Sequence, residues 1–172
     1  MFEDEARFGR SGAPRRCWAP AGVRPAVRHQ FVREYLYAYA AVSPHDGTVD
    51  SLVLPGVDTA AMTLFLAEVA ARHAEEFIVM VLDGAGWHCA DALAVPANMQ
   101  LVRLPPYSPE LNPTEHLWKE IREKWFANTC WPSLDAVEDQ LVQALSAIEA
   151  DPARVARLAG FDWITAIPLN AN

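Results

Sequence analysis

A continuous apolar run, FIVMVL at residues 77–82, constrains the fold of this chain more than any other feature of its sequence. Its length and its β-branched residues are typical of a strand that is buried on both faces, as strands are in parallel sheets. The preceding segment, 59–74, has the apolar spacing of a helix with one face on a sheet. That spacing is set by Met62, Phe65, Leu66 and Val69. We therefore expect a helix, capped by Asp58 or Thr59, that leads into a buried strand.

Three strands are expected before this helix, in an antiparallel series. Residues 1–8 resemble the end of a strand, and the tyrosines of VREYLYAYAAV at 32–42 alternate as they do in a strand. The turn SPHDG at 43–47 leads into a returning strand at 48–55. Residues 9–30 are rich in Gly, Pro and Arg and predict a long loop or an irregular hairpin.

The second half of the chain continues as strand and helices. LVRL at 101–104 predicts a short strand, which is followed by helices at 112–128, 133–149 and 151–158 and by an irregular tail at 160–172. Hairpins followed by strand–helix–strand crossovers predict an α/β fold with a mixed sheet covered by helices. Polar residues at the carboxyl ends of its parallel strands are the first place to look for chemistry.

Length and composition exclude several classes of protein. The 172 residues, 52% apolar, suit one domain with a core, perhaps followed by a tail. No run of about 18 apolar residues predicts a membrane span, and no signal peptide is visible at the start. Cys17, Cys89 and Cys130 are too widely spaced for a CxxC zinc site and argue against a disulfide scaffold. We expect a protein of a reducing cytoplasm.

The net charge of −8 is unevenly distributed along the chain. Residues 1–33 contain seven arginines against three acidic residues, so this segment is basic although the rest of the chain is acidic. Such a segment can meet a phosphate backbone locally. A solvated, arginine-rich loop explains the same charge pattern, and charge alone leaves both interpretations open.

Three carboxylates stand where the pattern places the ends of elements. Asp83 follows the buried strand and begins DGAGWH, as a ligand at a strand tip or as an ordinary Asp-Gly turn. Asp4, in FEDEARFG, belongs to a strand or to a solvated acidic terminus. Glu115 lies on the flank of its helix, roughly 100° from the apolar stripe of Leu117, Trp118, Ile121 and Trp125. With Asn112 as N-cap, Glu115 would instead complete a capping box.

Three carboxylates from separate segments are what a pair of divalent ions requires. Mg²⁺ prefers oxygen ligands and keeps places for water and phosphate. Two ions about 3.5–4 Å apart can clamp the attacking and leaving oxygens of a phosphodiester. Two carboxylates alone would suit the acid and base of a glycoside hydrolase, but that reading leaves the long segment at 104–118 unexplained.

Three sequence blocks carry a resemblance to a known family. FEDEARFG at 2–9, VLDGAGWH at 81–88 and LPPYSPELNPTEHLW at 104–118 resemble the signature blocks of bacterial DDE transposases. The branch they resemble is the insertion-sequence 630 family, within the mariner-like superfamily. WAPAG at 18–22 and LYAYAAVSP at 36–44 match as well, so that the resemblance spans about residues 2–126.

The resemblance implies a ribonuclease H-like fold whose first strand is truncated. It implies a catalytic domain over 1–160 and a tail over 161–172, with the usual N-terminal helix-turn-helix region absent. Its catalytic and metal-binding residues would be Asp4, Asp83 and Glu115, while Glu5 and Glu110 are acidic neighbours without that role. The interval from Asp83 to Glu115, 32 positions, is slightly short for the family and indicates a trimmed loop near 89–100.

The activity implied is metal-dependent cleavage and strand transfer at insertion-sequence ends. Two Mg²⁺ ions, which Mn²⁺ can replace, would be held with Asp4 and Asp83 bridging or flanking them and Glu115 completing the second site. Water would free a 3′-hydroxyl at the transposon end, and that hydroxyl would attack target DNA, usually at a TA step. The alternative is a truncated, non-catalytic remnant that binds DNA or full-length transposase and inhibits it.

Partners and location follow from the same resemblance. We expect double-stranded DNA, as transposon ends and as target, and a homodimer or pairing with the product of an upstream frame. We expect a bacterial cytoplasmic protein, associated with the nucleoid when DNA is bound, and no contact with a membrane. Backbone phosphates are the expected partners of Arg7, Arg10, Arg15 and Arg16.

Three further residues are candidates for DNA contact. His88 would touch DNA or a metal-bound water, or else be a surface histidine packed beside Trp87. Tyr107 and Ser108 would contact a phosphate or a base, or else only shape the Pro-rich turn. Trp118 and Trp125 are predicted core residues.

Overall fold

The fold was analysed on a computed structural model that describes residues 1–11 and 14–167. Within these residues lie five strands, five α-helices and two short 3-10 helices, at Gly86–His88 and Pro109–Leu111. The strands are β1 (Phe2–Ser11), β2 (Phe31–Val42), β3 (Val49–Leu54), β4 (Ile78–Leu82) and β5 (Met99–Arg103). The helices are α1 (Thr59–Arg72), α2 (Thr114–Lys124), α3 (Leu134–Glu149), α4 (Pro152–Ala159) and α5 (Asp162–Thr165).

The sheet is mixed, as the sequence predicts, and its strand order is β3-β2-β1-β4-β5. β1 to β3 form an antiparallel series, whereas β1, β4 and β5 run parallel. The first strand, β1, therefore occupies the centre. It is longer than the predicted end of a strand at 1–8, because it continues to Ser11 in a hairpin-like pairing with β2.

The start of β1 is tied to both of its neighbours. Phe2 pairs with Val42 on one side and with Val81 on the other. The Met1 amino group donates to the Val79 carbonyl at 2.8 Å, and burial lowers the pKa of that amino group to about 6. The few residues before Asp4 are thus sufficient to place it in the middle of the sheet.

Helices cover the two faces of the sheet unequally. α1 packs on one face, over the buried side chains of β4, while α2, α3 and α4 pack on the other face over β1, β2 and β3. The prediction that β4 is buried on both faces is therefore wrong. Ile78, Met80 and Leu82 are buried against α1, but Val79 is 46% exposed because the second helical layer does not extend over it.

The helix boundaries follow local chemistry. Asp58 and Ser133 cap α1 and α3, each accepting a hydrogen bond from the backbone N–H three residues on. α2 begins at Thr114 and ends at Lys124, inside the predicted 112–128. The predicted irregular tail contains α5, whose Ile164 is buried, and its last residues, 168–172, lie outside the described ones.

The cysteines and helices also bear on the predicted location. Cys17, Cys89 and Cys130 are free and exposed, as expected of a chain without a disulfide scaffold. Among the helices in the described ranges, none has the length and apolarity needed to cross a membrane.

The packing of α3 on the sheet leads to a stability prediction. Leu141 is completely buried in the core beneath α3, whereas its neighbour Val142 is 47% exposed. We expect Leu141→Ala to lower the free energy of unfolding by about 2–5 kcal/mol, because it removes buried methyl groups and leaves a cavity. The control Val142→Ala should change it by less than about 0.5 kcal/mol. Urea titrations monitored by circular dichroism measure both values, and equal losses would contradict the described core.

Candidate active site

A cavity of about 490 Å³ opens at the carboxyl end of β4, next to the start of α2. It is lined by Asp4 of β1, Asp83 after β4, Glu115 of α2 and the Pro-rich segment between β5 and α2. The structure thus brings the three sequence-predicted carboxylates to one cavity from three separate segments. Glu5 and Glu110, the two acidic neighbours, do not line it.

Asp4 faces the α2 side of the sheet at the centre of β1. Its Oδ2 accepts a hydrogen bond of 2.9 Å from the indole Nε1–H of Trp118. Burial and the nearby charge of Glu115 raise the pKa of Asp4 to about 7. The alternative of a solvated acidic terminus is therefore wrong. Trp118 is a core residue as predicted, and it also orients Asp4, which the sequence analysis missed.

Asp83 follows β4 directly and has a firmly held oxygen. Its Oδ1 accepts the backbone N–H of Ala85 at 2.9 Å and lies 2.9 Å from Nδ1 of His88. Since a carboxylate only accepts, Nδ1 of His88 carries the proton of this bond. The residue does form the expected turn with the Gly84–Ala85 backbone, and its other oxygen accepts no hydrogen bond from the described residues.

Glu115 lies in the first turn of α2 and is exposed toward the cavity. The predicted capping box is wrong, because the Asn112 N–H donates to the Pro109 carbonyl and Asn112 itself lies outside the helix. The helix position before Thr114 is occupied by Pro113, which has no side-chain cap. The carboxylate of Glu115 is therefore not used to end the helix and remains available to a ligand.

Asn112 and Thr114 instead fix α2 to β1. The Asn112 amide donates to the Glu3 carbonyl at 2.8 Å, and the Thr114 hydroxyl donates to the Phe2 carbonyl at 2.9 Å. Both side chains are buried. These two bonds set the start of α2, and with it Glu115, against the strand that carries Asp4. Sequence reasoning treated Asn112 only as a cap and did not single out Thr114.

The lining of the cavity is acidic and offers oxygen donors. Among its described lining residues there is no Lys, Arg or His, although three carry carboxylates. Clustered carboxylates repel each other until a cation or protons neutralise them, which the raised pKa of Asp4 reflects. Such a donor set suits a hard divalent cation.

Comparison with known proteins agrees with this geometry. The family model described as DDE superfamily endonuclease matches residues 1–138. The chain belongs to the DDE superfamily endonucleases. An uncharacterized protein of Sinorhizobium fredii (strain NBRC 101917 / NGR234), y4pE/y4sA, is 36% identical over 131 residues, which are 75% of this chain and 96% of that protein.

Solved structures with the same fold include complexes of the Mos1 mariner transposase. The paired end complex with Mn aligns with a TM-score of 0.65 at 16% identity, over 91% of this chain and 52% of that one. The strand transfer complex aligns at 0.60 and 16% identity, over 92% and 52%. The expected ribonuclease H-like fold is confirmed. This DDE superfamily chain spans about half the length of the Mos1 chains it matches.

The predicted phosphate-contacting arginines of this DDE superfamily domain differ in how free they are. Arg10 is tied to Glu34 at 2.8 Å and to the Trp131 carbonyl at 3.1 Å. Arg7 is exposed and stacks over the ring of Tyr35 at 4.4 Å. Arg15 and Arg16 are exposed on the segment after β1. Three of the four are thus open to solvent.

A further arginine, Arg122, lies two helical turns beyond Glu115 on α2. Its guanidinium lies over the Phe8 ring at 5.4 Å and lines a second, smaller cavity of about 180 Å³ with Arg15. Burial lowers the pKa of Arg122. The seven-residue interval from Glu115 places both side chains on the same face, a signal that the sequence analysis overlooked.

The remaining predicted contacts are resolved differently. His88 is only 2% exposed, so the interpretation as a surface histidine is wrong and contact with DNA is not open to it in this conformation. Tyr107 is fully exposed at the cavity with a left-handed φ of 58°, a strained backbone for a bulky residue. Ser108 donates from its hydroxyl to the Pro106 carbonyl at 3.4 Å, so it shapes the turn and lines the cavity as well.

The raised pKa of Asp4 leads to a pH prediction. An unfolded aspartate has a pKa of about 3.9, so between about pH 4 and 7 the folded chain binds a proton that the unfolded chain does not. With chelator present, the free energy of unfolding should fall as pH rises from about 5 to 7. In Asp4→Asn this part of the slope should disappear. Urea titrations across that range measure it, and an unchanged slope would show that Asp4 is not the titrating group.

Proposed function

We propose that this chain is the catalytic domain of a metal-dependent transposase that cleaves DNA at insertion-sequence ends and joins the freed end to target DNA. The observation that carries the proposal is the meeting of Asp4, Asp83 and Glu115 at one cavity without a neighbouring cation among the lining residues. We assign the catalytic domain to residues 1–160 and the element to the insertion-sequence 630 family. Membership of the DDE superfamily endonucleases supports nuclease chemistry in general.

The metal we propose is Mg²⁺, as two ions that Mn²⁺ can replace. The residues fit it, because all three donors are carboxylates and each comes from a different segment. Asp4 and Asp83 would contact both ions, and Glu115 would complete the second site. Once bound, the ions would lower the pKa of a bound water and neutralise charge on the phosphorus. Mos1 complexes with Mn and with Mg support a divalent ion here.

The protein's own part in the chemistry is to hold these carboxylates still. Trp118 fixes one oxygen of Asp4, while His88 and the Ala85 N–H fix one oxygen of Asp83. The second oxygen of Asp83 and the carboxylate of Glu115 accept no hydrogen bond from the described residues, so they can turn toward a ligand. Positioning of this kind removes the need to reorganise charged groups during phosphoryl transfer.

DNA is the proposed substrate, and the chain must bind it despite its net negative charge. The exposed Arg7, Arg15 and Arg16 are candidates for backbone phosphates, together with Arg122 beside the second cavity. Such contacts position DNA without reading its sequence. Tyr107, exposed at the cavity, offers a surface for a base. The Mos1 complexes with transposon ends support double-stranded DNA as the partner. A homodimer or an upstream-frame partner remains part of the proposal.

The test of the proposal is DNA nicking by the full chain. Supercoiled plasmid that carries the DNA flanking the chain's own reading frame is incubated with Mg²⁺ or Mn²⁺, and nicked product is resolved on a gel. We expect nicking that chelator abolishes. If the chain binds this DNA but nicks it with neither metal, the catalytic proposal fails and the inhibitory remnant becomes the better account.

Asp83 gives the sharpest catalytic variant. We expect Asp83→Asn to reduce metal-dependent nicking by at least about 100-fold, because an amide cannot replace a carboxylate that neutralises two cations. The control is Glu110→Gln, an equally conservative change on an exposed acidic residue outside the cavity, which should keep full activity. Nicking rates at equal protein concentration measure both, and activity retained by Asp83→Asn would contradict its role.

Glu115 separates a ligand from a structural residue. We expect Glu115→Gln to lose nicking as completely as Asp83→Asn, while its free energy of unfolding stays within about 0.5 kcal/mol or rises slightly, because the side chain caps nothing and repels Asp4. Nicking assays and urea titrations are run on the same preparation. A destabilised variant that still nicks DNA would show that Glu115 is part of the scaffold only.

A further inference from the structure

On the opposite face of β1 from Asp4, three ligating side chains meet around one buried point. Glu3 and Glu5 alternate with Asp4 along the strand and therefore face the α1 side of the sheet. His88 comes to the same point from the 3-10 helix after β4. One ligand atom of each residue lies within 4.8 Å of the others. This cluster plays no part in the proposed chemistry of the cavity.

The unusual member is Glu3, whose side chain is fully buried. Neither Oε1 nor Oε2 of Glu3 has a hydrogen-bond partner in the part of the chain that the structure describes. An isolated carboxylate is costly to bury unless a cation or a proton accompanies it. Burial, followed by the charge of Glu5, raises the pKa of Glu3 well above its usual value. The carboxylate is therefore placed as if a positive partner belonged beside it.

We propose that Glu3, Glu5 and His88 form a binding site for one divalent transition-metal cation of the class of Zn²⁺, separate from the candidate active site. Nε2 of His88 lies 3.0 Å from Oε1 of Glu5 and 3.5 Å from Oε2 of Glu3. In a tetrahedral zinc site, bonds of about 2.0–2.1 Å place ligand atoms about 3.3 Å apart. The two distances bracket that value, and one imidazole with two carboxylates is a donor set that zinc accepts.

The surroundings of the ligands fit a metal site as well. Metal-bound histidines generally donate their other ring N–H to a carboxylate, and Nδ1 of His88 faces Oδ1 of Asp83 at 2.9 Å. The Glu5 carboxylate accepts the indole N–H of Trp87 at 2.7 Å. The third ligand, Glu3, has no such bond and would be held by the cation itself. The cation would take the place on Nε2 that a proton occupies without metal.

The consequence is a link between the buried cation and the orientation of Asp83. A cation on Nε2 would keep the proton of His88 on Nδ1, where it donates to Asp83. The cation would thus stiffen the Asp83–His88 loop and take no part in DNA chemistry. This inference does not rest on the proposed function, and the site would bind metal even in a chain that cleaves no DNA.

The test measures metal content in a chain whose active-site carboxylates have been removed. The variant Asp4→Asn/Glu115→Gln is stripped with chelator, dialysed against Zn²⁺ and then against buffer, and analysed by mass spectrometry for metal per chain. We expect one Zn²⁺ to remain. In this background the added change Glu3→Gln, or His88→Gln, should abolish retention. The control His73→Gln removes another histidine bound by two carboxylates, Asp50 and Glu76, and should retain the metal.

Thermal unfolding gives a second, independent measurement. Glu3→Gln should melt at a higher temperature than the unsubstituted chain in chelator, because it removes an unpaired buried charge. Zn²⁺ should reverse the order, because a ligand that binds only the folded chain raises its melting temperature. If Zn²⁺ is not retained by the double variant, or is retained equally after Glu3→Gln, the proposal is overturned.

Replacement of zinc by Co²⁺ decides the matter if the Glu3 and His88 variants do not fold. Added to the double variant Asp4→Asn/Glu115→Gln, Co²⁺ in a tetrahedral nitrogen and oxygen site gives strong visible absorption bands, whereas hydrated Co²⁺ absorbs weakly. We expect the strong bands, saturating at one equivalent. Weak bands only, as for the ion in buffer, would overturn the proposal.

Discussion

Two buried hydrogen bonds hold the candidate active site together, because they join helix α2 to strand β1. Asn112 and Thr114 donate to the carbonyls of Glu3 and Phe2, the two residues before Asp4. Without these bonds the start of the helix would have no fixed height against the strand, and Glu115 would not share a cavity with Asp4. Since buried side-chain donors are costly to leave unpaired, the register between helix and strand is strongly specified.

β1 serves two purposes because its side chains alternate between the faces of the sheet. Asp4 faces α2 and the cavity, whereas Glu3 and Glu5 face α1 and His88. A slip of one residue would exchange the two sets, and its central place between β2 and β4 prevents this. The same strand thus delivers a carboxylate to the open cavity and two to a closed space behind it, with His88 and Asp83 as the connection.

The sequence predicts what depends on local pattern. Alternating tyrosines give β2, the apolar spacing from Met62 to Val69 gives α1, and Asp58 and Ser133 mark where helices begin. The three carboxylates were found because they lie at the ends of elements and within blocks that resemble a known family. The mixed sheet with β1 at its centre also follows from the order of the elements.

What the sequence could not give depends on which surfaces meet. The capping box was a reasonable expectation for Asn112 and Glu115, but a 3-10 helix at Pro109–Leu111 takes the Asn112 N–H, and its side chain turns to β1 instead. β4 has an exposed face because the second helical layer stops at β1, and no property of FIVMVL records that. The burial of His88 likewise depends on Glu3 and Glu5, more than 80 positions away.

Electrostatics explains why so acidic a centre can exist in a folded chain. Asp4 lies near Glu115 on one face, and Glu3 near Glu5 on the other, so the first strand concentrates negative charge that the folded chain must neutralise. His88 offsets part of it, since burial lowers its pKa but the hydrogen bond to Glu5 and the charges of Glu5 and Asp83 raise it overall. The rest falls to protons or to cations. A site built this way is stabilised by what it binds, which is the behaviour expected of a centre that works with metal ions.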